Sequence, residues 1–114
     1  MTVDAVRAFC RRLPHVTEDI KWEDDLVFSV GGKMFAVVML VPPHRISMKV
    51  PQEEFAELTE RDGIIPAPYL ARASWVSVER AGEGMDAREL RRRLSESYEL
   101  VKARLPKRLR QRLS

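Results

Sequence analysis

The sequence predicts an α+β fold: a two-layer sandwich in which an antiparallel β-sheet carries the N- and C-terminal helices on one face. Three observations predict it. Residues 28–38, Phe28-Ser-Val-Gly-Gly-Lys-Met-Phe-Ala-Val-Val38, are two apolar strand-like runs about a Gly31-Gly32 pair. That pair tolerates the positive φ of a tight hairpin turn. Apolar residues spaced by three and four mark a helix near each end of the chain. The connections in the middle are too short for parallel crossovers.

Thr2 is placed to cap a first helix. Val3, Val6, Cys10 and Leu13 form its apolar face, and Pro14 stops it. Residues 17–22 predict a short edge strand, and Glu23-Asp24-Asp25 a polar turn. Leu26–Val30 and Lys33–Val41 form the hairpin. Val37–Val41 is apolar throughout, as in a strand that is central or covered on both faces. Pro42-Pro43-His44 is a turn. Arg45–Val50 alternates, with Ile46, Met48 and Val50 on one side and Arg45, Ser47 and Lys49 on the other.

Pro51 suits a helix start. Gln52–Arg61 follows with Phe55 and Leu58 inward, and Gly63 offers a left-handed C-cap. Ile64–Leu70 contains two prolines and predicts an extended loop. Ser74–Arg80 alternates as a strand, and residues 82–84 predict a turn. Asp86-Ala-Arg-Glu89 reads as a capping box, Asp86 capping and Glu89 reaching back. Leu90, Leu94, Tyr98, Val101 and Leu105 then form one long helical stripe that Pro106 ends. The whole is one domain, 1–114, with a short basic tail at 107–114 that has room for one more helical turn.

A chain of 114 residues buries about two-thirds of the surface its unfolded form exposes, so it needs no staple. No apolar run approaches the ~20 residues of a membrane span, and the N-terminus lacks the apolar core of a signal peptide. A single cysteine excludes an internal disulfide and fits a reducing cytoplasm. The net charge of +3 is uneven. Residues 1–85 hold 10 Lys/Arg against 13 Asp/Glu, while residues 86–114 hold 10 against 4. Such a local basic surface draws polyanions. On charge alone, a solvated helix face is the better account.

Candidate chemistry is sparse. Cys10 falls on the apolar face of the first helix and reads as core. His15 and His44 have no partner pattern of a nucleophilic triad. Neither a His-x-x-x-His, a paired Cys nor an EF-hand loop is present, and the acidic run around residues 18–25 reads as a solvated loop. We therefore expect no enzyme, metal or cofactor. Gly31-Gly32-Lys33 lies between strands and lacks the spacing of a phosphate loop. Basic residues form three groups: Lys33, Arg45 and Lys49 on adjacent strands or turns; Arg88, Arg91, Arg92 and Arg93 in the last helix; and Lys107, Arg108, Arg110 and Arg112 in the tail. If several share one face, they can hold phosphates. Trp22, Tyr69 and Trp75 lie in or beside irregular segments, and either plug the open end of the sheet or line a pocket.

Trp22, Phe28, Gly32-Lys33, Phe35-Ala36, Lys49, Pro51, Ile65, Pro68-Tyr69, Trp75, Ser97-Tyr98 and Leu105-Pro106-Lys107, in this order and spacing, give a chain that resembles the MmcQ/YjbR family along nearly its whole length. The resemblance implies a fold like that of the frataxin/CyaY group, an antiparallel sheet with helices on one side. It also implies a DNA-binding role through a double wing of hairpins. Here the wings are the Gly31-Gly32-Lys33 hairpin and the Pro42-Pro43-His44 turn with Arg45. The iron-binding acidic ridge that the frataxin likeness suggests is not matched, because the first helix carries Arg7, Arg11 and Arg12 beside Asp4.

The sequence thus points to DNA binding, a weak phosphate-led contact through Lys33, Arg45, Lys49, Arg91, Arg92, Lys107, Arg108 and Arg110. The alternatives are a protein–protein adaptor or a small anionic-ligand module built around Trp22, Tyr69 and Trp75. Lys33 or Lys49 would then pair with the anion.

Overall fold

In the computed structural model, which describes residues 1–80 and 83–113, helix α1 (Val3–Arg12) leads into strands β1 (Val16–Lys21), β2 (Asp25–Val30), β3 (Lys33–Met39) and β4 (Ile46–Lys49). Helix α2 (Gln52–Thr59), strands β5 (Ile64–Pro66) and β6 (Trp75–Val78), and helices α3 (Ala87–Ala103) and α4 (Lys107–Arg112) complete the chain. The six strands form one sheet in the order β1-β2-β3-β4-β6-β5, and every pairing is antiparallel.

Register assigns the faces. Leu26, Phe28, Ala36, Val38, Ile46, Met48, Val76 and Val78 fall on one side through the pairs Leu26↔Val38↔Ile46↔Val78 and Phe28↔Ala36↔Met48↔Val76. They meet Val6 and Cys10 of α1, Leu58 of α2, and Leu90, Leu94, Tyr98 and Val101 of α3 in one buried cluster. The helical layer therefore covers this face, as the stripes require. On the other face Val27, Val37, Ser47, Ser77 and Ile65 stand abreast.

A β-bulge between Phe28 and Ser29 lets β3 contribute two residues against one. Phe35 is thereby kept in the core. Its ring lies 6.5 Å from Phe28 and edge-on to Tyr98 at 5.4 Å. Tyr98 also donates its hydroxyl to the Pro14 carbonyl at 2.7 Å, tying α3 to the end of α1.

The caps behave as their residue types dictate. Thr2 Oγ1 accepts from the Ala5 amide and Asp86 from the Glu89 amide. Three details differ from the sequence expectation. Glu89 does not reach back to Asp86, because Arg61 takes its carboxylate at 2.8 Å. Helix α2 closes on Glu60 in right-handed geometry, so Gly63 (φ 87°) shapes the turn after it. Residues 64–66 form an edge strand. Pro66 sits opposite Val76 at the strand's end, where a missing N–H costs no ladder bond. The turn expected at 82–84 lies partly outside the described residues.

Candidate functional site

Two concavities hold six of the residues that sequence analysis singled out: Lys33, Lys49 and Trp75 in one, Trp22, Arg45 and Tyr69 in the other. The first is a cleft of about 180 Å³ lined by Lys33, Lys49, Trp75, Val101, Arg104 and Leu105. The hairpin turn builds it. Gly31 packs so closely on the α3–α4 corner that a Cβ there would lie 2.6 Å from Leu105 Cδ1 and 3.2 Å from Leu109 Cδ2. This contact brings Lys33 to the C-terminal end of α3. Lys49 comes from the end of β4, and its amide is held by Ser97.

Lys49 Nζ donates to the Ala73 carbonyl. Burial, and then the charge of Arg104, hold its pKa below the ordinary lysine value. Among the described residues, no carboxylate lies within ion-pairing distance of Lys33, Lys49 or Arg104. Pro106 then turns the chain into α4, whose Lys107, Arg108 and Arg110 are exposed.

The basic group of α3 is not part of this end. Arg91 and Arg92 stand exposed near the helix start, with Arg92 3.8 Å from Glu89. From Arg92 to Arg104 the helix rises about 18 Å. Arg93 is buried and serves the fold. It bonds Glu54 and Glu96 at 3.0 Å each, and those bonds outweigh the burial that would lower its pKa. Arg7 and Arg11 of α1 both face Glu18, at 2.7 and 3.8 Å.

The second concavity, of about 510 Å³, lies on the sheet face opposite the helices. Met34, Val37 and Met39 of β3 make its floor, and Pro68, Tyr69 and Leu70 fold over it. Three polar side chains join them: Asp25, Arg45 and Ser47. Ser47 is engaged with Ser77 at 2.7 Å. Arg45 has a buried Nε, and among the described residues its side chain has no hydrogen-bond partner. Burial, and then Asp24, push the Asp25 carboxyl above its usual pKa. Trp22 and Tyr69 stand at the rim, 65% and 104% exposed.

The three aromatics of the sequence analysis therefore separate. Trp22 and Tyr69 share the open-face pocket, whereas Trp75 is buried in the basic cleft, because β6 is an inner strand of the sheet. The proposed wings separate too. The Gly31-Gly32 turn and the Pro42–Arg45 turn lie at opposite ends of β3, whose seven residues span about 23 Å. Sequence reasoning missed Arg104 and the pocket floor. The period-two partners of the core positions in β3 and β4 were the signal for the floor.

Solved structures place this architecture. A Deinococcus radiodurans protein, DR2400, described by the family-model domain DUF419, superposes with a TM-score of 0.88 at 35% identity. The match covers 98% of this chain and 87% of that one. A Pseudomonas syringae protein shares the fold, with a TM-score of 0.75 at 22% identity over 88% of this chain and 98% of that one. No curated protein matches the chain. The family model described as YjbR matches residues 11–100. With most of its length under that one model, the chain belongs to the YjbR family.

Proposed function

We propose that this protein binds DNA through its basic end, in a shallow contact led by phosphates rather than by base edges. The observation that carries the reading is the convergence of Lys33, Lys49 and Arg104 on one cleft with no carboxylate among the described residues in ion-pairing distance. Three uncompensated cations raise the local potential and favour a polyanion. Lys107 and Arg108 extend the same end past Pro106. Arg45, Arg91 and Arg92 lie elsewhere and are assigned no part in the contact. A duplex held at the Gly31-Gly32 turn meets one of the two wings that the family resemblance implies. The proposal assigns no reaction to this end.

The test is fluorescence anisotropy with a labelled random duplex across a salt series. We expect dissociation constants of about 10⁻⁴–10⁻⁶ M at moderate salt, typical of contact without sequence preference. The logarithm of affinity should fall against that of salt with a slope of about −3 to −4, roughly 0.9 per phosphate engaged. Binding that ignores salt, or none at low salt, overturns the reading. A Lys33→Gln, Lys49→Gln double variant should weaken binding to all sequences alike and flatten the slope by about 2.

A further inference from the structure

We infer that the open-face pocket binds a planar heteroaromatic small molecule with an acidic group for Arg45 and an N–H donor for Asp25. No residue lines both this pocket and the basic cleft, so the inference stands apart from DNA binding.

Its volume of about 510 Å³ suits one ring system with a short substituent. The floor is apolar, and few polar groups converge on it, the composition of a small-molecule site. The guanidinium of Arg45 is the main argument. Its Nε is buried, it lines the cavity, and its side chain has no hydrogen-bond partner among the described residues. A buried N–H donor left unpaired costs free energy that an acceptor in the pocket recovers. A carboxylate or phosphate answers the guanidinium with two parallel hydrogen bonds.

Asp25 faces the same cavity without reaching ion-pairing distance of Arg45. An occupant that accepts at one end and donates at the other spans the two. The rim supplies the ring contact. Trp22 and Tyr69 hold φ of 50° and 65°, a left-handed conformation that aromatic residues seldom take. Backbone of this kind clusters at ligand clamps. It leaves both side chains exposed, where a planar ring can stack on them.

The experiment is a titration of the isotope-labelled full chain by two-dimensional amide NMR. The probes are adenosine monophosphate and indole-3-acetate, each with its neutral counterpart, adenosine and indole-3-acetamide. At least one acid should shift the Val37, Met39 and Ser47 amides and bind about tenfold tighter than its neutral partner. Which acid does so tells phosphate from carboxylate. Arg45→Met should remove that preference. Tyr69→Ala, which alters a fully exposed side chain, should weaken the same acid with the fold intact. Lys49→Gln should leave it unchanged.

No shifts with either acid, equal binding of the neutral compounds, or an unaffected Arg45→Met variant overturns the assignment. So does concentration-dependent broadening of these amides without ligand that Tyr69→Ala relieves, which gives the face to a second copy of the chain.

Discussion

Ser97, on the buried face of α3, donates its hydroxyl proton to the Phe35 carbonyl at 2.7 Å. The same oxygen accepts from the Lys49 amide at 2.9 Å. The β3–β4 ladder runs from Val38↔Ile46 to Ala36↔Met48, so Phe35 and Lys49 hold the next position of the register. The ladder stops short of that position, and the serine bridges the two backbone groups instead. Ser97→Ala leaves both backbone groups buried and unpaired, for a loss of about 1–3 kcal/mol. Urea unfolding should show a lower midpoint at unchanged slope. A loss within a few tenths of a kcal/mol of zero would mean that the strands close up without the hydroxyl.

Gly31 and Gly32 are neighbours of unequal importance. Both have positive φ, at 58° and 80°, so alanine at either is strained by about 1–2 kcal/mol. A Cβ at Gly32 meets nothing within 4 Å, whereas at Gly31 it drives into Leu105. Gly31→Ala should therefore cost about 1–3 kcal/mol more than Gly32→Ala, the usual range for overpacking. It should also weaken DNA binding by displacing the α3–α4 corner from Lys33. Equal losses in thermal or urea unfolding would show that the hairpin tip does not bear on that corner.

The alternation of β4 and the stripe of α3 were legible because burial on one face imposes a period on the sequence. The last strand before α3 was legible too, but its environment was not. Trp75 borders irregular sequence, yet β6 lies between β4 and β5 and is covered on both sides. The edge strand at Ile64–Pro66 was masked by Pro66, which a strand end tolerates, and by Pro68 just beyond it. Charge runs misled most. Arg93 looks like its neighbours Arg91 and Arg92, but a helix turns about 100° per residue, and one step moves a side chain from solvent to a buried position paired with Glu54 and Glu96. Arg104 gave no signal, because its importance comes from the packing of Gly31 on Leu105 beside it, a contact across 74 positions of sequence.

Cys10 lies in the buried core, not in either concavity. Its side chain is fully enclosed, and burial pushes the thiol up to about 12. At pH 8 the thiolate fraction is then about one part in ten thousand. Ellman's reagent should find no reactive thiol in the native chain and one per molecule in guanidinium chloride. Rapid labelling of the folded protein would place Cys10 in an accessible, activated site.

Lys49 couples the basic cleft to pH in two opposite directions. Its pKa is held down in the folded chain by burial and by Arg104. An unfolded lysine titrates near about 10.4. Between the folded value and that one, the unfolded chain binds more protons, so Lys49's contribution to stability rises with pH across the window. A bound polyanion prefers the protonated amine, so on the proposed function affinity for DNA should fall as pH rises through the lowered value. Measured as wild type minus Lys49→Met, stability should climb and affinity should decline across the same alkaline range. Lys49→Arg keeps its charge throughout, because guanidinium does not titrate there, and should abolish the alkaline decline in binding. If Lys49→Arg loses affinity with pH as the wild type does, the titrating group lies elsewhere, and Lys49 is not the residue that meets the phosphate.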